Sequence, residues 1–211
     1  MFDDSINQFA NIKFVGVNTT RVEKFFGGLS AFNYVANEKI PCVECLAVDG
    51  RDIDNLVDCR ADKKFRLLNV VDEKIFIDGM RGAEIIFVFA ENVWENIRTV
   101  ALAAHCAKKI GVPVIFIAGG NFEDAEDEII FDALVKLPNE DFAENTCKII
   151  RVFVDVLTHD NQMTPDFETF KAAIKNSAAV IDYVEGTKKF SAESVKSFIE
   201  SVRSSQEENS N

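Results

Sequence analysis

Short, uninterrupted apolar runs constrain the fold of this chain more than any other feature of its sequence. Residues Ile85 to Ala90 and Val114 to Ala118 are apolar throughout. Each run has the length of a β-strand, far below the roughly 20 residues that a membrane-spanning helix needs. A strand that is apolar on both of its faces is typical of a parallel sheet covered by helices on both sides.

The same pattern extends along the chain. Further strands are predicted at 12–17, 42–48, 65–71, 129–137 and 178–184, and helices at 72–80, 95–110, 142–157, 166–175 and 191–202. Strands that alternate with helices predict an α/β protein with a doubly wound parallel sheet and right-handed crossovers. Because such sheets bind ligands at the carboxyl ends of their strands, functional residues are expected there.

Charge and termini limit the classes of partner. The chain has 211 residues and a formal net charge of −12. An acidic surface repels phosphate backbones, so we expect no nucleic-acid partner. The first four residues, Met1 to Asp4, lack the basic and then apolar layout of a signal peptide, and no run is long enough for a membrane span. We therefore expect a cytoplasmic protein with no membrane partner, whose five cysteines are thiols.

The segment after residue 142 combines a long helix with a short remainder. The second half of the helix predicted at 142–157 is apolar in almost every direction, which indicates a buried helix. Its apolar residues are Ile149, Ile150, Val152, Phe153, Val154, Val156 and Leu157. Because a lone strand is not stable, the strand predicted at 178–184 must either join the main sheet or pair with another chain.

Residues that might suggest a metal or redox site have simpler explanations. Cys42 and Cys45 lie three apart on a predicted strand, so they point to opposite faces, and we expect two buried thiols. His105 and His159 have no serine or cysteine motif nearby. The acidic run 123–128 lacks the glycine and spacing of a calcium loop and is expected to be a solvated connection. No metal site is predicted.

Four stretches, in order along the chain, resemble the FtsZ/tubulin superfamily. They are S-A-F-N through C-V-E-C-L-A-V at 30–48, C-R-A-D-K-K-F-R-L at 59–67, G-A-E-I-I-F-V at 82–88, and V-L-T to D-F at 156–167. The family has N-A-V-N followed by V-E-F-I-A-I-N-T-D, then S-K-A-D-V-K-I-Q-L, G-A-D-M-V-F-I and L-I-T-R-P-G-L-I-N-L-D-F. The resemblance implies a sheet of the FtsZ/tubulin nucleotide-binding type, a central buried helix and a truncated second domain.

The resemblance also implies domain limits. An N-terminal α/β domain would occupy 1–141, the central buried helix 142–158, and a reduced helix–strand–helix unit 159–204. Residues 205–211 form a polar tail that is predicted to be disordered.

The sequence departs from the family where the nucleotide phosphates would bind. Loops that cradle phosphates need glycines, so that backbone N–H groups can approach the ligand. The first strand is followed by N-T-T-R at 18–21, and the nearest glycines, Gly27 and Gly28, are displaced by an insertion. The second cluster, G-G-G-T-G-T-G in the family, is replaced by E-N-V-W-E-N-I-R at 91–98. The stretch at 67–82 is too short for the family's loop near the terminal phosphate.

The acidic loop of the family is also incomplete. In relatives, N-x-D-x-x-D from one subunit positions the attacking water at the nucleotide of its neighbour. Asp166 matches the first Asp, but Thr169 replaces the second and Thr164 replaces the Asn. Glu168 lies one position away and is an imperfect substitute. We therefore expect no catalytic residues.

Two functional hypotheses follow from these departures. The first is a non-catalytic pseudo-GTPase without a cofactor, a scaffold or regulator that acts through a protein partner or self-association, in cell division or filament formation. The alternative is a divergent GTP- or GDP-binding protein with Mg²⁺ and weak GTPase activity. In that case Arg21, Gly27, Gly28 and Ser30 would replace the missing loop, and Asp166 and Glu168 would be the acids.

Overall fold

The fold is that of a computed structural model, which describes only part of the chain. The described residues are 11–17, 43–49, 61–67, 72–91, 94–119, 131–137, 142, 145, 146, 148, 149, 153, 167–174 and 179–182.

Within these described ranges, seven strands and three helices have both ends defined. The strands are β1 Ile12–Val17, β2 Val43–Asp49, β3 Lys63–Arg66, β4 Ile85–Glu91, β5 Val114–Gly119, β6 Ala133–Leu137 and β7 Ala179–Asp182; the helices are α1 Glu73–Met80, α2 Trp94–Lys109 and α3 Phe167–Ile174. The helix predicted at 191–202 lies outside the described residues.

The strands form one sheet in the order β3-β2-β1-β4-β5-β6-β7, and every neighbouring pair is parallel. The predicted α/β class with a parallel sheet is therefore confirmed. The strand predicted at 178–184 joins this sheet as β7, and its Ala179 pairs with Ala133 of β6. Of the two alternatives for that strand, the single chain adopts the first.

Two predicted strand limits were wrong. β3 begins at Lys63 rather than at residue 65 and ends at Arg66. β6 begins at Ala133, and the two residues before it, Phe131 and Asp132, are not in the strand. The first two residues of β3 are lysines, so a search for apolar runs did not include them. The strand begins at Lys63 because this residue pairs with Leu46 of β2. Local propensity is a weak guide at the edge of a sheet.

One face of the sheet is covered by α1 and α2 and is called here the α1–α2 face. Small residues on α2, among them Ala103, Ala104 and Ala107, are buried against the sheet. Small side chains let a helix approach a sheet closely. The buried strand residues of this face include Val15, Leu46, Ile86, Val88 and Phe116.

The other face carries four phenylalanines in contact, called here the aromatic column. Phe14 stacks on Phe87 with ring centroids 5.1 Å apart, and Phe87 lies 4.8 Å from Phe153. Phe153 in turn lies 6.2 Å from Phe170 of α3. All four rings are fully buried. The column therefore joins the centre of the sheet to the helical layer on this face.

The predicted helix at 142–157 is helical at its described positions. Phe142, Thr146, Ile149 and Phe153 are buried, whereas Lys148 is exposed. The spacings of four, three and four residues define one helix face. At these positions the helix buries a stripe, and the remaining positions of its apolar second half lie outside the described residues.

Three strands are preceded by an acidic residue that binds the neighbouring strand. Asp62, before β3, accepts a hydrogen bond from the Cys45 N–H at 2.7 Å. Glu84, before β4, accepts one from the Asn11 N–H at 2.8 Å, and Asp132, before β6, accepts one from Val114 at 2.8 Å. Each carboxylate thus satisfies a backbone donor where the ladder begins.

We expect Asp132→Ala to lower the free energy of unfolding by about 1–3 kcal/mol, because the Val114 N–H loses a charged acceptor. Asp132→Asn is the matched control, since its amide oxygen can still accept the hydrogen bond, and it should cost less than half as much. Urea unfolding of both variants measures the difference. Equal losses for Ala and Asn would show that the hydrogen bond does not stabilise the strand.

Candidate functional site

The order of the strands reverses between β1 and β4, which places the carboxyl ends of these two strands side by side. Gly16 of β1 pairs with Phe89 of β4 just before both strands end. In doubly wound sheets, ligands bind in the crevice outside this reversal. We call it the switch-point crevice, and it is the candidate functional site.

The connection from β4 to α2 borders this crevice and is short. β4 ends at Glu91 and α2 begins at Trp94, so only Asn92 and Val93 lie between them. Neither is glycine, and Glu95 follows in the first turn of the helix. A phosphate-binding loop needs several free backbone N–H groups in a glycine-rich turn. A two-residue connection flanked by two glutamates does not supply such a loop.

The polar residues in the first turns of α2 belong to its packing. Asn96 is 1% exposed and Thr99 is 2% exposed. Both are already engaged in interactions within the chain. Buried polar groups need such partners because an unmade hydrogen bond is costly. Both residues are therefore buried and already have partners within the chain.

At the carboxyl end of β5, the ring of Phe142 lies directly over Gly119. A Cβ atom at Gly119 would be 2.8 Å from Cδ2 of that ring and 2.9 Å from Cγ. One helical turn further, Thr146 is fully buried, and its Oγ1 has no hydrogen-bond partner. The aromatic ring thus closes this end of β5, with one unsatisfied hydroxyl behind it.

The predicted site residues are only partly placed. Arg21, Gly27, Gly28, Ser30 and Asp166 lie outside the described residues. Glu168 and Thr169 lie in the first turn of α3. The proximity of these residues to one another therefore stays a prediction.

Sequence reasoning missed a charged cluster at the opposite, amino edge of the sheet. Lys13 of β1 is 7% exposed, and its Nζ donates hydrogen bonds of 2.8 Å to the carbonyls of Gly79 and Arg81. The same Nζ lies 2.6 Å from the Glu44 carboxylate, which also binds Lys63 at 2.6 Å. A lone lysine within an apolar strand was the available signal.

An open cavity of about 380 Å³ adjoins this cluster, lined by Asn11, Ile12, Lys13, Val43, Glu44, Asp62, Arg81 and Gly82. The charges of its lining cancel, and the Lys13 ammonium already has three acceptors. Burial alone would raise the pKa of Glu44, but hydrogen bonds from Lys13 and Lys63 outweigh it and lower the pKa. The cluster therefore connects α1 to β1 and β2, and each of its charged side chains has a partner within the chain.

The two thiols in the described part of the chain are both buried. Cys45 is 3% exposed, as predicted, whereas Cys42 lies outside the described residues. Burial, together with the nearby Glu73 carboxylate, raises the pKa of Cys106 to about 11. A thiol with that pKa stays protonated at neutral pH. Over the described ranges, no group of three or more potential metal ligands occurs.

Comparisons with known proteins do not assign a family. No protein-family profile matches the chain, and no curated protein matches it. A crystal structure of a candidate epimerase from Bacteroides thetaiotaomicron is similar, with 15% sequence identity and a TM-score of 0.34. The match covers 70% of this chain and 63% of that one. A TM-score this low establishes neither a shared fold nor a shared activity. In the described part of the chain, no helix is long and apolar enough to cross a membrane.

Proposed function

We propose that this chain is an FtsZ-like pseudo-GTPase, a non-catalytic scaffold or regulator that acts through protein–protein contact. The proposal includes a sheet of the FtsZ/tubulin type with a truncated second domain. Sequence resemblance supports it, because three of the four similar stretches run into β2, β3 and β4. The doubly wound strand order is compatible with a fold built around a nucleotide crevice.

The connection between β4 and α2 is the observation that carries the non-catalytic part of the proposal. Two residues, Asn92 and Val93, stand where the family has a run of glycines. The sequence also has glutamates at positions 91 and 95, on either side of this connection. Carboxylates and phosphates are both negatively charged and repel each other, which disfavours phosphate binding. The helix N-terminus that would otherwise attract a phosphate is therefore a poor anion site.

The switch-point crevice itself favours a second candidate function. A doubly wound sheet whose order reverses between β1 and β4 retains the place where relatives of such folds bind nucleotides. A divergent GTP- or GDP-binding protein would use Arg21, Gly27, Gly28 and Ser30 after β1, with Mg²⁺ and weak hydrolysis. Binding would then depend on the β1 side of the crevice and not on α2.

Titration calorimetry and thermal unfolding with GTP or GDP and Mg²⁺ distinguish the pseudo-GTPase from the divergent nucleotide-binding protein. We expect no heat and no change in melting temperature at 1 mM nucleotide. A site with a dissociation constant of about 10 μM would instead stabilise the protein by about 2.7 kcal/mol. For a chain of this size, that corresponds to a rise of roughly 5–11 °C in melting temperature.

Two variants locate any binding that is found. Arg21→Ala should abolish binding if the insertion after β1 holds the phosphates, whereas Arg81→Ala, at the amino edge of the sheet, should leave it unchanged. Binding with that pattern would replace the pseudo-GTPase proposal by the divergent-GTPase one. A nucleotide-free chain that is monomeric and copurifies with no protein would contradict the scaffold role.

A further inference from the structure

The connection between β6 and β7 covers a different face of the sheet from the two connections that contain α1 and α2. α1 leads from β3 to β4 and α2 leads from β4 to β5, and both pack on the α1–α2 face. Between β6 and β7, Phe153 and α3 pack instead on the opposite face, where Phe153 contacts Phe87 and Phe170. Phe87 lies between Ile86 and Val88 of the α1–α2 face, and side chains alternate along a strand.

These positions fix the relative hand of the crossovers. The steps from β4 to β5 and from β6 to β7 advance in the same direction across the sheet, and both join parallel strands. Two such steps that pass over opposite faces have opposite hands. Parallel crossovers are right-handed in about 98% of cases. Because α1 and α2 share one hand, the step from β6 to β7 has the opposite hand and is the exception among these three steps.

Pairing between two copies of the chain removes this exception. If β7 of one copy adds to β6 of another, the two strands are no longer joined by a crossover within one chain. The described contacts of α3 and β7 stay the same, including the register that places Leu134 opposite Val180. Exchange of an identical element between copies is a low-cost route to a dimer.

The parts needed for such an exchange are present. Without β7, the order β3-β2-β1-β4-β5-β6 is already a complete doubly wound sheet. Phe170 and Ile174 of α3 are 0% exposed. These two apolar side chains would therefore hold α3 against the sheet, whether that sheet belongs to the same copy or to another. Residues 158–166 lie between the predicted end of the long helix, at residue 157, and α3, and nine residues can span up to about 30 Å.

We propose that α3 and β7 form an exchangeable arm that docks on the β6 edge and aromatic column of a second copy of this chain. The assembly is a reciprocal dimer in which each copy completes the sheet of the other. This inference is independent of nucleotide binding and of the FtsZ resemblance, so either can fail without the other.

Cysteine crosslinking between differently tagged chains tests the exchange. One chain carries Leu134→Cys, the other carries Val180→Cys, and both are coexpressed so that dimers form during folding. Paired residues on neighbouring strands are about 4.8 Å apart, within the range for a disulfide. After mild oxidation, mass spectrometry should find the peptide that joins positions 134 and 180. Light scattering of the wild-type protein should give twice the monomer mass.

The control replaces Leu134→Cys by Lys64→Cys, an exposed position on the opposite edge strand β3. The cysteines at positions 134 and 180 are held opposite each other on paired strands, whereas those of the control meet only by collision. The first pair should therefore form at least about tenfold more disulfide than the control. If the first pair impairs folding, Lys136→Cys with Asp182→Cys provides a second register pair. A monomeric mass, a dimer without the crosslink, or a disulfide that forms only when both cysteines are in one chain would overturn the proposal.

Discussion

Phe153→Ala should lower the free energy of unfolding by about 3–5 kcal/mol, the usual cost of removing a buried phenylalanine side chain. Phe153 is 0% exposed and touches both Phe87 of the sheet and Phe170 of α3. Its loss leaves a cavity at the junction between the sheet and the helical layer, which flanking rings cannot fill without leaving their rotamers. Chemical denaturation monitored by circular dichroism measures the change.

Phe131→Ala is the matched control for this prediction. Phe131 also stacks on a buried ring, that of Phe116 at 4.6 Å, but it is only partly buried. We expect a loss of about 1–2 kcal/mol, in proportion to the smaller apolar area that it removes from water. Similar losses for the two variants would mean that the aromatic column does not connect the two layers.

Lys13→Met should cost about 3 kcal/mol, although methionine preserves most of the apolar stem. The substitution removes charged hydrogen bonds to the carbonyls of Gly79 and Arg81 at the end of α1. Each hydrogen bond to a charged group contributes about 1.5–3 kcal/mol, and these carbonyls would lose their buried donor. Thermal unfolding should show a fall of roughly 6–12 °C in melting temperature.

Lys63→Met separates the role of Lys13 from that of the Glu44 salt bridge. Lys63 contacts the same carboxylate, but its side chain is 42% exposed. Exposed pairs contribute about 0–1 kcal/mol, so this variant should be nearly as stable as the wild type. The Glu44 pKa is lowered in the folded state. Its contribution is therefore present above the unfolded pKa and is lost as the pH falls through the folded pKa. A Lys13→Met variant no less stable than Lys63→Met would contradict the role of Lys13 at α1.

The candidate site could be predicted only in its location. Alternating strands and helices indicated a crevice at the carboxyl ends of the strands, and the strand order places it between β1 and β4. The absence of glycine after Ala90 was visible in the sequence, whereas the two-residue connection at Asn92 and Val93 required the bounds of β4 and α2. Residues such as Arg21 and Ser30, chosen by family resemblance, stay predictions.

The sequence by itself determined the fold class and most element bounds. Runs such as Ile85–Ala90 and Val114–Ala118 are apolar on every side, as expected of strands that a parallel sheet between helices buries on both faces. The periods of 2.0 and 3.6 residues act over short distances along the chain, so they can be read from the sequence.

Only the tertiary structure decided which distant residues meet. The two carbonyl acceptors of Lys13 lie 66 and 68 residues away in sequence, and the partner of Asn11 lies 73 residues away. The sheet order, the face on which Phe153 packs and the edge that β7 joins likewise depend on long-range pairing. No local pattern encodes such contacts, because their free energy comes from groups that the fold alone brings together.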